Sequence, residues 1–316
     1  MSNYIIKRIL SSLLVILIVS VFVFSIVHLL PGDPVKLALG DEAKIEDIER
    51  IREEKNLNKP LPEQFFRWFI GLFRGDFGES ILQGRTVAAM FKEKIPRTLA
   101  FGIPTFIIGV TLGILFGIIS AVRRGKFIDQ FITLLTTLGI GTPEFWIGIL
   151  LLYLFTIRIH VFPMRGVTMP SESITGYLRS IILPVICGSF HLIANVSRQT
   201  RSNMLEVVKQ DYIRTARANG LGERTIIFGH ALKNALIPVV TYVGMQVRGI
   251  IAGSVLIESI FSIAGIGSMM TDAINSRDYW VLQSCVLLIS FFAVFSNLLV
   301  DILYGLIDPR IRESRR

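Results

Sequence analysis

Apolar residues are concentrated in long runs along this chain, and charged residues lie in blocks between them. Each run is close to the roughly 20 residues that a helix needs to cross a bilayer. The first run exceeds the ~7–15 apolar residues of a signal peptide, so we expect it to remain as a helix. The pattern predicts an all-α membrane protein with six transmembrane helices, at about 9–30, 99–121, 131–156, 180–197, 235–257 and 281–304.

Composition agrees with a membrane protein and gives little sign of an enzyme. Of the 316 residues 52% are hydrophobic and 18% charged, whereas about 25% are charged in a typical soluble domain. Cys187 and Cys285 stand singly within apolar runs, and the four histidines are scattered, so neither a disulfide framework nor a metal site is predicted. No phosphate loop is present in the sequence, because Gly125-Lys126 lacks the glycine before it and the Ser or Thr after it. We therefore predict that this chain binds no cofactor.

Lys and Arg predict the orientation, because short cytoplasmic loops are enriched in them. With the N-terminus inside, the predicted inner segments carry 16 basic and 6 acidic residues; these segments are 1–8, 122–130, 198–234 and 305–316. The long segment 31–98 carries 12 of each, and both ends of the chain are then cytoplasmic. The net charge of +9 reflects this topology and not a nucleic-acid partner. The predicted division is a first helix at 1–30, an extracytoplasmic segment at 31–98, a transmembrane core at 99–304 and a tail at 305–316.

A polar, basic block lies between the fourth and fifth predicted helices. We call residues 198–234 the basic block. Its most informative stretch, which continues into the fifth predicted helix, is 211–238, DYIRTARANGLGERTIIFGHALKNALIP. Gly220 and Gly222 predict a turn between two short helices. One interpretation is a solvated loop that only enforces orientation. Small residues at Thr215, Ala216 and Ala218 favour another, in which the first short helix enters a groove on a partner protein.

This block resembles the coupling motif of the membrane subunits of ABC importers, in the form carried by the peptide and nickel uptake permeases. The motif's glycine falls at Gly220, and Arg214 stands where the general motif has an acidic residue. Further stretches resemble landmarks of the same family, in its order, over nearly the whole chain: HLLPGDP, GDFGES, PRTLAFG, PEFWIG, HALKNALIP, GSVLIESIF and DPRIR. The resemblance implies that an ATPase contacts Asp211, Tyr212, Arg214, Thr215, Ala216, Arg217, Ala218, Gly220 and Leu221.

The resemblance also implies the architecture of a type I ABC importer permease in a bacterial or archaeal inner membrane. It implies three kinds of partner: a second homologous permease in a heterodimer, two cytoplasmic ATPases that hold ATP and Mg²⁺, and an extracytoplasmic substrate-binding protein. The substrate is expected to be a di- or oligopeptide, with nickel or another metal chelate as the alternative. A secondary transporter or channel without ATPases is a different class, and it would leave the basic block unexplained.

Two charged residues, Glu144 and Arg248, lie within predicted transmembrane helices, where a charge costs ~2.5–3.5 kcal/mol or more. In one hypothesis they form an ion pair that joins the third and fifth helices. In the other, Arg248 lines the translocation pathway and binds a negative group of the substrate. Glu144, Gln246 and Glu258 are further candidates for the same lining.

Overall fold

A computed structural model of the chain describes residues 2–29, 34–40 and 44–307, which are mostly helical. Two π-helical segments, Leu152–Arg158 and Ile226–Ala231, continue neighbouring α-helices. A small antiparallel hairpin, β1 (Glu79–Ser80) and β2 (Arg85–Thr86), pairs Glu79 with Thr86. The α-helices are α1 (Ser2–Leu29), α2 (Pro34–Leu39), α3 (Ile45–Glu54), α4 (Leu61–Phe73), α5 (Val87–Val122), α6 (Phe127–Gly141), α7 (Glu144–Leu151), α8 (Ile174–Val207), α9 (Asp211–Ala218), α10 (Glu223–Thr225), α11 (Leu232–Gln246), α12 (Gly249–Ala252), α13 (Ser254–Phe261), α14 (Ile266–Asn275) and α15 (Tyr279–Ile307).

Several of these helices match the length and composition of membrane spans. Two bent pairs also qualify as spans when each pair is taken together: Phe127–Gly141 with Glu144–Arg158, bent by 103°, and Gly249–Phe261 with Ile266–Asn275, bent by 73°. The described residues therefore contain five to seven candidate spans, a range that includes the predicted six. The five continuous candidates are Ile6–Leu29, Val87–Val122, Ile174–Val207, Glu223–Gln246 and Tyr279–Ile302.

The prediction of a continuous helix at 131–156 is wrong. The chain leaves α6 at Thr142, whose backbone is extended (φ −93°, ψ 129°), and enters α7 at Glu144. Pro143 explains the break, because its ring disfavours helical geometry in the residue before it and it has no amide hydrogen to donate. As a result Glu144 lies in the first turn of a new helix, where the helix dipole favours a negative charge.

Two other predicted helix boundaries are also corrected. The fifth run, 235–257, is interrupted after Gln246 and again at Gly253. It therefore forms the end of α11, the whole of α12 and the start of α13. The second helix begins at Val87, not after Pro96, and Pro96 lies within it. Thr86 accounts for the earlier start, since its Oγ1 accepts a hydrogen bond from the amide of Ala89 at 3.4 Å in the manner of an N-cap.

The chain divides into two compact units, residues 1–98 with 264–316 and residues 99–263. In the first unit α15 packs along α1, and the β-hairpin region contacts the start of α15. The Ser80 hydroxyl donates to the Asp278 carboxylate, and the Ser284 hydroxyl donates to the carbonyl of Phe77 at 2.7 Å. These bonds join the segment after α4 to Asp278, immediately before α15, and to Ser284, in the second turn of α15.

The second unit is organised around α8, against which α6, α7 and α11 pack. Three glycines at four-residue spacing on α5 also face this helix: Gly109, Gly113 and Gly117. A Cβ atom on Gly113 would lie 2.6 Å from the Cβ of Val196, and one on Gly117 would lie 2.7 Å from the carbonyl oxygen of Ser197. The two backbones therefore approach as closely as helices do at small-residue contacts in membranes.

Candidate functional site

The basic block forms a helix, a turn and a second helix, as predicted. Helix α9 ends in a Schellman motif, in which the amide of Leu221 donates to the carbonyl of Ala216 and the amide of Gly220 donates to that of Arg217. Gly220 takes φ +81°, a left-handed conformation that strains any residue with a side chain. The chain then re-enters helix at Glu223 and continues through Ile226–Ala231 into α11.

The inner face of the block is anchored in an apolar cluster of its own. Ile213 is fully buried and Ala216 is 9% exposed, and both pack with Met204 at the end of α8. The other members of the cluster, Ile226, Ala231 and Ala235, come from the second helix and the start of α11. A displacement of α9 must therefore be transmitted to α8 and α11, because close-packed side chains deform little.

The outer face of the block carries most of the residues predicted to contact a partner. On this face Arg217 Nε pairs with Glu223 Oε1 at 2.6 Å, and this hydrogen bond raises the pKa of the Arg217 guanidinium. Asn234 Nδ2 donates to the hydroxyl of Tyr212 at 2.8 Å. The exposed residues are Asp211, Tyr212, Arg214, Thr215, Arg217, Ala218, Gly220 and Leu221.

Ala216 does not belong to this outer face. It points into the cluster beside Ile213, so the packing of the block itself explains why the residue is small. The small residues that remain available for close approach on the outer face are Thr215, Ala218 and Gly220.

A buried ion pair near the end of α8 was not found from the sequence. Asp129, 4% exposed, lies in the first turn of α6. Arg201 of α8 donates to both of its carboxylate oxygens, from Nε at 2.8 Å and from Nη2 at 3.0 Å. The Asp129 carboxylate also accepts from the Ser120 hydroxyl, from the amide of Gly125 at 2.8 Å and, more weakly, from the Thr133 hydroxyl at 3.4 Å. This pair joins α6 to α8 three residues before Met204, where the cluster of the basic block begins.

A cavity of about 170 Å³ lies among α5, α7, α8 and the α11–α13 region, within residues 99–263. Glu144 and Gln246 line it, together with polar side chains that include Thr105 and His191. The Thr105 hydroxyl is buried and has no hydrogen-bond partner within the described part of the chain. The cavity therefore offers several polar groups beside apolar side chains, in a volume smaller than the roughly 300–1,000 Å³ of complete small-molecule sites.

The other two predicted pathway residues, Arg248 and Glu258, do not line this cavity. Arg248, between α11 and α12, is exposed, and Glu258 of α13 is fully buried. Among the described residues no ion pair joins Glu144 to Arg248, so the hypothesis of a structural pair is not supported by this conformation. No group of three or more metal-binding side chains occurs in residues 2–29, 34–40 and 44–307.

Several candidate spans, a polar cavity among them and a helical block anchored to two of the spans together define the membrane subunit of a transporter. Comparison with known proteins agrees. The chain belongs to the family described as binding-protein-dependent transport system inner membrane component, which matches residues 113–313, and the N-terminal component of such systems matches residues 1–102. The chain is therefore a multi-pass permease of an ABC importer, and not an enzyme, as the sequence predicted.

Relatives align over almost the full length of the chain. A probable peptide ABC transporter permease, y4tP of Sinorhizobium fredii, is 39% identical over 312 residues, which cover 99% of this chain and 100% of that protein. The oligopeptide transport system permease AppB of Bacillus subtilis is 37% identical over 98% and 99% of the two chains. The glutathione transport system permease GsiC of Escherichia coli K12 is 38% identical over 99% of each.

A solved structure supports the fold. The crystal structure of an amino acid ABC transporter with histidines has a chain that matches with a TM-score of 0.52 and 18% identity. The match covers 70% of this chain and 94% of that one. Membership in this family also means that the permease works with an ATPase and with a substrate-binding protein.

Proposed function

We propose that this permease forms half of the membrane pathway of an ATP-driven importer of short peptides. The observation that carries the proposal is the full-length similarity to permeases named for peptide, oligopeptide and glutathione transport, each at 37–39% identity. None of these three is named for nickel or a metal chelate, so the peptide is the preferred substrate class. The partner is a second permease that resembles this one, which makes the membrane part a heterodimer.

The cavity lined by Glu144 and Gln246 is the proposed pathway segment in this chain. Its lining has one carboxylate, Glu144, and two carboxamides, Gln246 and Asn195, beside apolar side chains, and this mixture suits a substrate that carries both polar and apolar groups. Arg248 is exposed in this conformation and unpaired with Glu144, which leaves its guanidinium free to bind a peptide carboxylate in the assembled pathway. Glu258 is buried and is a weaker candidate.

The outer face of the basic block is the proposed ATPase-binding surface, on the cytoplasmic side. Its support is the arrangement of eight exposed residues over a buried apolar anchor, which connects the surface to α8 and α11. ATP and Mg²⁺ are bound by the partner ATPases, whose closure would move the block and thereby the spans. This chain itself contributes no group to the nucleotide site.

The test is the variant Gly220→Leu in the assembled transporter. No described atom lies within 4 Å of a Cβ at this position, so the leucine would project from the outer face towards the ATPase. We expect normal amounts of permease in the membrane and a loss of substrate-stimulated ATP hydrolysis. The left-handed backbone adds about 1–2 kcal/mol of strain.

Gly125→Leu is the matched control for this strain. Gly125 takes φ +77°, has open space around its Cβ among the described atoms, and lies outside the block. It should retain stimulated hydrolysis. Equal losses in the two variants, or normal stimulation in Gly220→Leu, would reject the assignment of this surface.

A further inference from the structure

A second and larger cavity, of about 450 Å³, lies within the unit formed by residues 1–98 and 264–316. It is bounded by the end of α1, by α3 and α4, by the hairpin and by the start of α15. Its volume is within the range of small-molecule sites, about 300–1,000 Å³. Four aromatic side chains line it: Phe24, Trp68, Tyr279 and Trp280. The proposed transport function gives this cavity no role.

A buried side chain in the wall of this cavity lacks a partner. Gln283 of α15 is 4% exposed, and its Nε2 has no hydrogen bond within the described residues. The cavity is also lined by Gln64, whose Nε2 donates to the carbonyls of Leu57 at 3.0 Å and Lys59 at 2.8 Å. Buried polar groups are nearly always paired. The carboxamide of Gln64 therefore has protein partners, whereas the Nε2 of Gln283 is available to donate to a bound molecule.

The charges around the cavity favour a positively charged ligand. Of its basic residues, Lys55 pairs with Glu79 at 2.5 Å and Arg67 pairs with Glu63 at 2.9 Å. Glu54 also lines the cavity and has no ion-pair partner in the described part of the chain. Both basic groups are neutralised, whereas the carboxylate of Glu54 remains available; a second lining carboxylate, that of Asp76, accepts a hydrogen bond from the amide of Gly78 at 2.9 Å.

The aromatic wall strengthens this preference. Trp68 and Trp280 present indole rings, which bind ammonium groups better than other aromatic side chains do. His28 stacks on Phe24 with ring centroids 4.0 Å apart, and its Nδ1 donates to the carbonyl of Phe24 at 2.8 Å. In the neutral ring, Nε2 is then a hydrogen-bond acceptor. Acceptors and aromatic faces together suit an ammonium donor.

We propose that this cavity binds a small organic cation, in which an ammonium group is attached to an apolar body. Glu54 and the indole rings hold the ammonium group, and the Gln283 carboxamide binds a polar group of the body. Two sources supply this chemistry: the free amino terminus of a short peptide and the ethanolamine headgroup of a lipid. The cavity lies at the ends of two candidate spans, α1 and α15, where either molecule has access.

The chain offers its own reporter for this binding. It contains three tryptophans, of which Trp68 and Trp280 line the cavity and Trp146 belongs to α7 in the other unit. The variant Trp146→Phe therefore restricts tryptophan emission to the cavity. The full-length variant is placed in phosphatidylglycerol nanodiscs, which contain no amine, and titrated with alanyl-alanine amide. The matched neutral probe is N-acetyl-alanyl-alanine amide.

We expect the free amine to change the emission saturably and the acetylated probe to bind at least about tenfold more weakly, the effect of one charge-assisted contact. Glu54→Gln and Gln283→Met should each weaken the amine by about tenfold. Glu53→Gln is the matched control, because Glu53 is exposed on the same helix and does not line the cavity. It should bind as the parent does.

Nanodiscs that contain phosphatidylethanolamine distinguish the two sources. If the lipid is the ligand, these nanodiscs shift the emission without added peptide, and Glu54→Gln abolishes the shift. If the peptide is the ligand, only the addition of alanyl-alanine amide shifts the emission. Either result supports the proposal. It is overturned if neither amine changes the emission, if the acetylated probe binds equally well, or if Glu54→Gln behaves as Glu53→Gln. Because this experiment measures binding and not transport, its failure leaves the proposed import function untouched.

Discussion

The buried ion pair between Asp129 and Arg201 supplies a sharp test of how the permease is held together. Asp129→Asn keeps the size of the side chain and one carbonyl acceptor. It removes the negative charge and one of the two acceptors for Arg201. The new amide group must also face the Ser120 hydroxyl or the amide of Gly125, both of which donate to Asp129.

The expected loss follows from the burial of the two partners. Removing one partner of a fully buried pair costs about 3–5 kcal/mol, because the remaining charge is left without compensation. The Asp129 side chain is 6% exposed, but that of Arg201 is 31% exposed and regains part of its hydration. We therefore expect Asp129→Asn to lower the free energy of unfolding by about 2–3 kcal/mol.

The assay is equilibrium unfolding of the purified permease in mixed micelles, followed by circular dichroism. Glu223→Gln is the matched control, because it removes the carboxylate from another Arg–carboxylate pair, with Arg217, in which both groups are exposed. Exposed pairs contribute little to stability, so this variant should unfold as the parent does. Equal midpoints for Asp129→Asn and Glu223→Gln would refute the reasoning from burial.

Two further predictions concern packing and pH. Gly113→Ala should destabilise the permease by about 1–3 kcal/mol, because the new Cβ would lie 2.6 Å from that of Val196. The control Gly141→Ala, whose Cβ has open space among the described atoms, should leave the unfolding midpoint unchanged. Equal midpoints for the two variants would contradict the close contact between α5 and α8. Burial raises the pKa of Asp278 above its ordinary 3.8, although the hydrogen bond from Ser80 opposes the shift. The folded state then holds this proton more tightly than the unfolded state, so its stability relative to Asp278→Asn should be greatest below about pH 3.8 and fall as the pH rises from there through the raised pKa. If the difference in the free energy of unfolding between the parent and Asp278→Asn does not change with pH, the pKa of Asp278 is not raised by folding.

The sequence predicted the membrane-spanning character of the chain because long apolar runs leave few alternatives. It was less informative about where a run breaks. Pro143 was visible within the third run, but composition alone does not show whether a proline kinks a helix or ends it. In α5, Pro96 lies within a continuous helix, whereas Pro143 separates two helices bent by 103°. Both prolines carry the same local penalty, so the local sequence does not separate the two outcomes.

The candidate site shows the same limit at the level of single residues. The turn at Gly220 follows from local sequence, since glycine is the residue that best adopts φ +81° at the end of a helix. The orientation of Ala216 does not, because a small residue suits both a partner surface and an internal contact. The pair of Asp129 with Arg201 joins residues 72 positions apart, and no local pattern connects them.

The break at Pro143 also bears on how the protein is made. Helix α6 has 15 residues, and Glu144–Arg158 has as many, so each arm is only ~22 Å long at 1.5 Å per residue. The hydrocarbon layer is about 30 Å thick, which neither arm can cross alone. A nascent chain released to lipid at this point would expose the carboxylate of Glu144 and the unpaired backbone at the bend. Because α6 and α7 both pack against α8, which is synthesised afterwards, we expect the two arms to insert stably only together with α8, as a three-helix unit rather than one helix at a time.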